Sequence, residues 1–242
     1  MNKDLRDALS NMGIIGYRSA EVFSFFLWIR DRKGDRIKKK ERTFVMRKRQ
    51  ENTMRYKTHY ESPLGDLLLT ADAQALTGVW FDGQKYYAQG QADLEPEASA
   101  AICNAPCKEE HAPLLAEAKR WLDIYFAGKE PDFDLPLNPT GTDFQKSVWS
   151  ILCTIPYGKT MTYGQIAAQI AAERGIARMS AQAVGGAVGH NPLSIIVPCH
   201  RVVGTNGSLT GYGGGIDRKI KLLTLEGIDM SAFFVPKKGT AL

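Results

Sequence analysis

From Tyr56 onward the alternation of apolar and polar positions marks out regular elements. Residues 56–61 and 66–71 read as strands on either side of a Ser62-Pro63-Leu64-Gly65 turn, and Leu76–Phe81 adds a third that ends at Asp82-Gly83. Together they predict a short antiparallel sheet. Residues 84–112 show no periodicity and predict a loop. Across Pro113–Phe126, Leu114, Ala118, Trp121, Leu122 and Tyr125 recur at helical spacing, and Gly128 and Pro131 stop the pattern. That is an amphipathic helix. Three prolines within 131–141 predict an extended linker.

The pattern then changes to short, capped helices. Thr142 and Gln145 form a capping box ahead of Phe144, Val148, Trp149 and Leu152, and Pro156 and Gly158 close that helix. Thr162 and Gln165 form a second box, opening a helix with Ile166 and Ile170 on one side and Gly175 at its end. Ser180 caps a third helix over 181–190, stopped by Asn191-Pro192. Residues 193–197 read as a short buried strand, Asn206-Gly207 as a hairpin-type turn, and 217–226 as a last helix capped by Gly227. Three tightly connected helices followed by a hairpin-like wing predict a winged helix-turn-helix. The third helix carries Gly185, Gly186 and Gly189, each costing about 0.5–1 kcal/mol relative to alanine. Close approach to a DNA groove and tight packing on a neighbouring helix would each offset that cost.

Charge divides the chain at the same point. Residues 1–53 carry 14 Lys/Arg against 7 Asp/Glu; the remainder carries 17 against 19, although the whole chain is +5. Any DNA binding beyond residue 53 must therefore rely on local patches and shape. We read 1–53 as a basic N-terminal extension, either poorly ordered or lying upstream of a natural start at Met54, with a nucleic-acid-binding arm as the competing reading. The apolar run over 22–29 is too short to span a bilayer and lacks the flanks of a signal peptide. The expectation is a cytoplasmic protein, off the membrane, whose four cysteines (Cys103, Cys107, Cys153 and Cys199) are reduced thiols. Cys153 follows the apolar side of its helix and reads as core. Cys103-x3-Cys107-x3-His111, with His59 as a candidate fourth ligand, matches no standard zinc spacing, so no metal and no cofactor is expected.

The chemistry concentrates in Val197-Pro198-Cys199-His200-Arg201-Val202-Val203-Gly204. A Cys-His pair alone is weak evidence, because most cysteines are inert core residues. Its frame narrows the reading: Asn191-Pro192 precedes it, Thr210-Gly211-Tyr212-Gly213-Gly214 follows, and Leu222-Leu223-Thr224-Leu225-Glu226-Gly227 closes the domain. In this frame the sequence resembles the O6-alkylguanine-DNA alkyltransferases, from about Met54 to Met230 and most strongly over 142–227.

The resemblance implies an α+β protein: a small ribonuclease-H-like α/β domain over 54–137, a winged helix-turn-helix over 138–230, and a tail over 231–242. It implies direct-reversal repair, in which one alkyl group moves irreversibly from O6-alkylguanine in DNA to Cys199, and it leaves O4-alkylthymine open as a second substrate. It makes Cys199 the acceptor, His200 its activator through a bound water, Glu226 the acid that orients His200, Tyr163 the hydroxyl that assists at guanine N3, and Asn191 the brace of the turn. The carbonyls of Cys199 and Val202 would accept from the guanine amino group, the Gly213 N–H would donate to O6, and Tyr212, Gly213 and Gly214 would wall the pocket. The implied partner is double-stranded DNA held by its minor groove with the damaged base flipped out, bound by a monomer. Ala181, Gln182, Gly185 and Gly186 of the third helix, with Arg178 and Arg201, would face that DNA. Gln182 stands where the family commonly has an intercalating arginine, which puts base capture rather than chemistry in question; Arg178 and Lys159 could supply phosphate contacts, and so could His190. Two other readings compete: a non-catalytic damage-binding or regulatory protein, and a cysteine hydrolase, which the diverging side chains of adjacent Cys and His disfavour.

Overall fold

The computed structural model describes residues 56–88 and 113–236 in full and residues 20–29 and 38–47 as backbone alone. In the latter, β1 (Ala20–Ile29) and β2 (Lys38–Arg47) pair antiparallel, an element not expected in the N-terminal extension, where an apolar run without alternation gave no strand signal. Cys103, Cys107 and His111 lie outside the described residues.

The expected sheet forms from β3 (Tyr56–Ser62), β4 (Gly65–Ala71) and β5 (Leu76–Phe81), antiparallel in that order. α1 (Pro113–Phe126) packs against β3 and β4 through Leu115, Ala118, Leu122 and Tyr125. Its C-terminal end gives way to an extended segment that bridges Leu137 to Leu76. Both capping boxes are present: Thr142 and Gln145 open α2 (Asp143–Leu152), and Thr162 and Gln165 open α3 (Tyr163–Glu173). α4 (Ala181–Gly189) is capped by the Ser180 hydroxyl and packs on both, with the Trp149 indole N–H donating to the Ala187 carbonyl at 2.9 Å. α5 (Ile216–Leu225) completes the helical set.

Two expectations are corrected. Residues 193–197 are not a strand: only Leu193 bridges, to Val79, and the chain then turns through Ile195 at φ 71°. Asn191 causes this by spending its side chain on the backbone of Leu193 and Val197. Nor does the wing contain a two-stranded hairpin. β7 (Val202–Val203) pairs parallel with β6 (Met161–Thr162), and beyond it the Asn206-Gly207 turn is closed by Gly204 N–H to Ser208 O at 2.8 Å. The returning arm bridges Phe234, so the first part of the expected tail clasps the turn.

The two halves share one core and meet along β5. Val79 exchanges backbone hydrogen bonds with Pro192 and Ser194, and Gln84 accepts from Ser194 Oγ at 3.0 Å. Arg218 donates to the carbonyls of Leu64 and Gly214, so α5 is also tied to the sheet.

Gly207 is held at φ +83°, with the position of an added Cβ 2.2 Å from the Ala232 carbonyl oxygen. Gly207→Ala is expected to lower stability by about 2 kcal/mol, read as a lower urea midpoint with an unchanged slope. An unchanged midpoint would mean that the tail does not clasp the turn in solution.

Candidate active site

Pro198 ends the irregular segment, and Cys199–Arg201 form a single 3-10 turn at the interior junction of the two halves. Cys199 and His200 are both buried. Asn191 organises the approach. Its Nδ2 donates to Val197 O at 2.8 Å and to Cys199 Sγ at 3.0 Å, while its Oδ1 accepts from Leu193 N–H at 3.0 Å. Asn191 thus ties together the segment before the turn and touches the sulfur directly. Burial pushes the Cys199 thiol above its ordinary value, with the Asn191 hydrogen bond and the Lys219 charge pulling the other way. The resting group is a protonated thiol that needs a base.

His200 supplies a nitrogen suited to that task. Its Nε2 lies 2.7 Å from Glu226 Oε1. An ionised carboxylate only accepts, so the partner assigns the proton to Nε2 and leaves the lone pair on Nδ1. Nδ1 is buried and has no hydrogen-bond partner among the described residues. Burial lowers the imidazole's affinity for a proton, against the pull of Glu226, so the ring is neutral at neutral pH.

Glu226 is the C-cap of α5, where a bare carboxylate would oppose the helix dipole. It is offset by a dense set of donors: His200 Nε2, the Tyr125 hydroxyl at 2.7 Å, Gly158 N–H at 3.1 Å, and Arg201 through Nε at 2.9 Å and Nη2 at 3.0 Å. Burial alone would raise the carboxyl's value; the hydrogen bonds from His200 and Arg201, with the Arg201 charge, outweigh it and hold it at about 2. Arg201, expected on the DNA surface, is corrected here. Its side chain is buried, and its remaining Nη1 donates to the Ile155 carbonyl at 2.7 Å, because Glu226 requires a fixed cation beside it.

Of the expected pocket residues, Tyr212 lies against this turn. The Tyr163 hydroxyl donates to Thr210 O at 3.0 Å. Tyr212 sits edge-on to His200, with ring centroids 6.3 Å apart. Gly214 is required by its neighbours: an added Cβ would lie 2.6 Å from Tyr212 Cε1 and 3.2 Å from Phe81 Cδ2. At Gly213 the same atom would meet only ordinary contacts at 3.6 Å, so that position has room for a small side chain.

Of the groups expected to face DNA, Gln182 and Gly186 lie on the side of α4 away from its buried Val184, Ala187 and Val188. Ala181, Gln182, Gly186 and Arg178 are exposed, as is Lys159. A Cβ at Gly186 would meet nothing within 4 Å, and one at Gly185 would make ordinary contact with the Tyr163 ring. Tight helix packing therefore does not explain Gly186. His190 bonds back to Gly186 O and stacks on Tyr86. Cys153 is half-buried against the core, and His59, the candidate fourth metal ligand, is paired with Asp66.

Two members of the site went unrecognised in the sequence. Tyr125 read only as a core aromatic, although a tyrosine on a buried stripe carries a hydroxyl that needs a partner. Lys219 stands three and four residues before the buried Leu222 and Leu223, so it shares their face. It is fully buried and donates to the carbonyls of Val202 at 2.6 Å and Thr210 at 2.8 Å. Burial lowers its value to about 8.

A buried thiol braced by an amide, beside a neutral imidazole anchored on a carboxylate, is the equipment of a nucleophilic cysteine carried by a helix-turn-helix domain. Comparison with known proteins agrees. Residues 55–139 match the family described as 6-O-methylguanine DNA methyltransferase, ribonuclease-like domain, and residues 143–228 match its DNA binding domain. The methylated-DNA–protein-cysteine methyltransferase of Methanosarcina acetivorans is 44% identical over 71% of this chain and 98% of its own length. That of Mycobacterium tuberculosis H37Rv is 44% identical over 69% and 92%. The crystal structure of the M. tuberculosis O6-methylguanine methyltransferase has a TM-score of 0.56 at 43% identity, covering 72% of this chain and 93% of that one. The structure of M. tuberculosis OGT in complex with DNA gives 0.55 at 39%, covering 74% and 94%. The chain belongs to the 6-O-methylguanine DNA methyltransferase family.

The buried pair makes the fold acid-sensitive. His200 holds a proton less well folded than unfolded, so the unfolded chain gains protons first and stability falls as pH drops below about 6.5. Glu226 is held at about 2 against an ordinary 4.5, so its contribution is complete above about 4.5 and is lost as pH falls towards 2. Urea midpoints measured against pH should decline in those two ranges. A midpoint flat down to about pH 4 would show that His200 is not buried as a neutral base.

Proposed function

We propose that the protein repairs alkylated DNA by transferring the alkyl group from guanine O6 to Cys199, once per molecule. The observation that carries this is a buried Cys199 thiol adjoining, in one turn, a neutral His200 whose Nε2 is anchored on ionised Glu226. A water between Sγ and the unpartnered Nδ1 of His200 takes the thiol proton to the imidazole. The thiolate attacks the alkyl carbon, a C–S bond forms, and the C–O6 bond breaks with its electron pair left on the guanine. Guanine accepts a proton near N3, assisted by the Tyr163 hydroxyl, which gives up its bond to Thr210 for the base. The proton held by His200 balances the one guanine gains. The Cys199 and Val202 carbonyls and the Gly213 N–H read the base edge. The thioether product is stable to water, so no second turnover follows.

The partner is double-stranded DNA, engaged in its minor groove by the exposed face of α4 with the damaged nucleotide turned out of the stack, since a buried thiol cannot reach a stacked base. Gln182 stands at the start of that face to fill the gap, and Arg178 and Lys159 supply positive charge to phosphate. A monomer suffices for this chemistry, and the free thiol suits a cytoplasmic setting. Among the described residues no helix is long and apolar enough to cross a membrane.

Intact-protein mass after mixing with a duplex containing O6-methylguanine tests the reading. One methylene gained per molecule, mapping to Cys199 and absent in Cys199→Ala, is expected; binding without mass gain would favour a damage-binding protein instead. The role of α4 has its own test. Gly186→Ala should raise stability by about 0.5–1 kcal/mol, because alanine favours helix and has open space there. The same change should weaken binding to duplex DNA several-fold while leaving reaction with free O6-benzylguanine unaltered. Undiminished DNA binding would remove Gly186 from the interface.

A further inference from the structure

Among the described residues, the N-terminal half reaches His200 and Glu226 through Tyr125. Tyr125, on the last turn of α1, sends its hydroxyl to Glu226 Oε1 at 2.7 Å, across 101 residues of sequence, and lies 3.2 Å from His200 Nε2. Its ring is fully buried, stacked on Trp121 and edge-on to His200, Tyr157 and Phe126. Phenylalanine would satisfy all four ring contacts. A buried hydroxyl costs free energy unless it is bonded, so the polar end is explained by its partner rather than by packing.

We propose that Tyr125 is a positioning residue for alkyl transfer, its hydroxyl fixing the Glu226 carboxylate that orients His200, so that the N-terminal domain completes the relay of the C-terminal one. This rests on the reading of His200 as the base for Cys199. Oε1 is shared among His200, Tyr125 and Arg201. A carboxylate oxygen that spends part of its acceptor capacity on a tyrosine pulls less on the imidazole N–H, and a weaker pull leaves Nδ1 free of a proton at lower pH. The groups facing His200 are Glu226 and Lys219 of α5, Arg201 and Cys199 of its own turn, Tyr212 of the following loop, and Tyr125 of α1. Glu226 favours the protonated ring, while burial, Arg201 and Lys219 disfavour it. Tyr125 acts on this balance through Glu226. Its own hydroxyl stays protonated, raised well above its ordinary value by burial and by the Glu226 charge.

The test is the pH dependence of methyl transfer to Cys199 in Tyr125→Phe, with the full chain and an O6-methylguanine duplex. Without the hydroxyl, Glu226 pulls harder on His200, and the acid limb of the rate profile should move up by about half a unit. Transfer would then be about threefold slower below the limb, converge with the unaltered protein at high pH, and still end at one methyl per molecule. Coincident profiles would overturn the proposal. So would a uniform slowing with an unshifted limb and a lower melting temperature, which is the signature of packing alone. Site-specific replacement of Tyr125 by 3-fluorotyrosine, a stronger donor of nearly equal size, serves if the phenylalanine variant folds poorly; there the limb should move to lower pH, and an unmoved limb would overturn the proposal. Failure of the unaltered protein to gain a methyl group would instead overturn the alkyl-transfer reading beneath it.

Discussion

The site depends on a single buried carboxylate. Glu226 ends α5, and four separate parts of the chain converge on it: the Cys199–Arg201 turn, the end of α1 through Tyr125, the Gly158 turn after α2, and α5 itself. An ionised carboxylate out of water is stable only when such donors surround it. Meeting that demand fixes Arg201 as an interior cation, fixes the His200 tautomer, and draws the two halves of the molecule together. Structure and the proposed chemistry thus share one constraint, because the contacts that keep Glu226 charged also place the His200 proton on Nε2 and leave the lone pair on Nδ1.

A second device positions the sulfur. Asn191 replaces the expected strand with an irregular segment by bonding the backbone of Leu193 and Val197, and it then reaches Cys199 Sγ. The cost appears at Ile195, a β-branched residue at φ 71°, where only glycine is at ease. Cross-links from Val79 and Gln84 of the sheet hold the strained segment in place. The sheet therefore supports the reactive turn from below, while α4 rises from the same Asn191 towards the surface.

The exterior has a different logic. The chain beyond residue 53 has no excess of positive charge, so DNA must be met by shape and a few cations. α4, the helix proposed to meet it, is short and rich in glycine, with open space at Gly186 and exposed Gln182 at its start. Low bulk on that face leaves the backbone close to whatever lies against it, which suits a groove better than a flat protein partner.

The sequence by itself determined much of this. Both capping boxes, the α1 stripe and the three strands follow from local preference, and local rules act between residues three or four apart. The adjacent Cys199 and His200, framed by Asn191 and Glu226, were legible because their spacing is covalent and resembles a known pattern. Tertiary structure alone decided the rest. Arg201 faces inward because Glu226 needs a cation, Lys219 is buried because two carbonyls receive it, and Tyr125 reaches Glu226 from 101 residues away. The parallel pairing of β7 with β6, in place of a hairpin, likewise joins distant segments. Burial and electrostatic partnership are properties of groups brought together by folding, and no periodicity in the chain encodes which groups those will be.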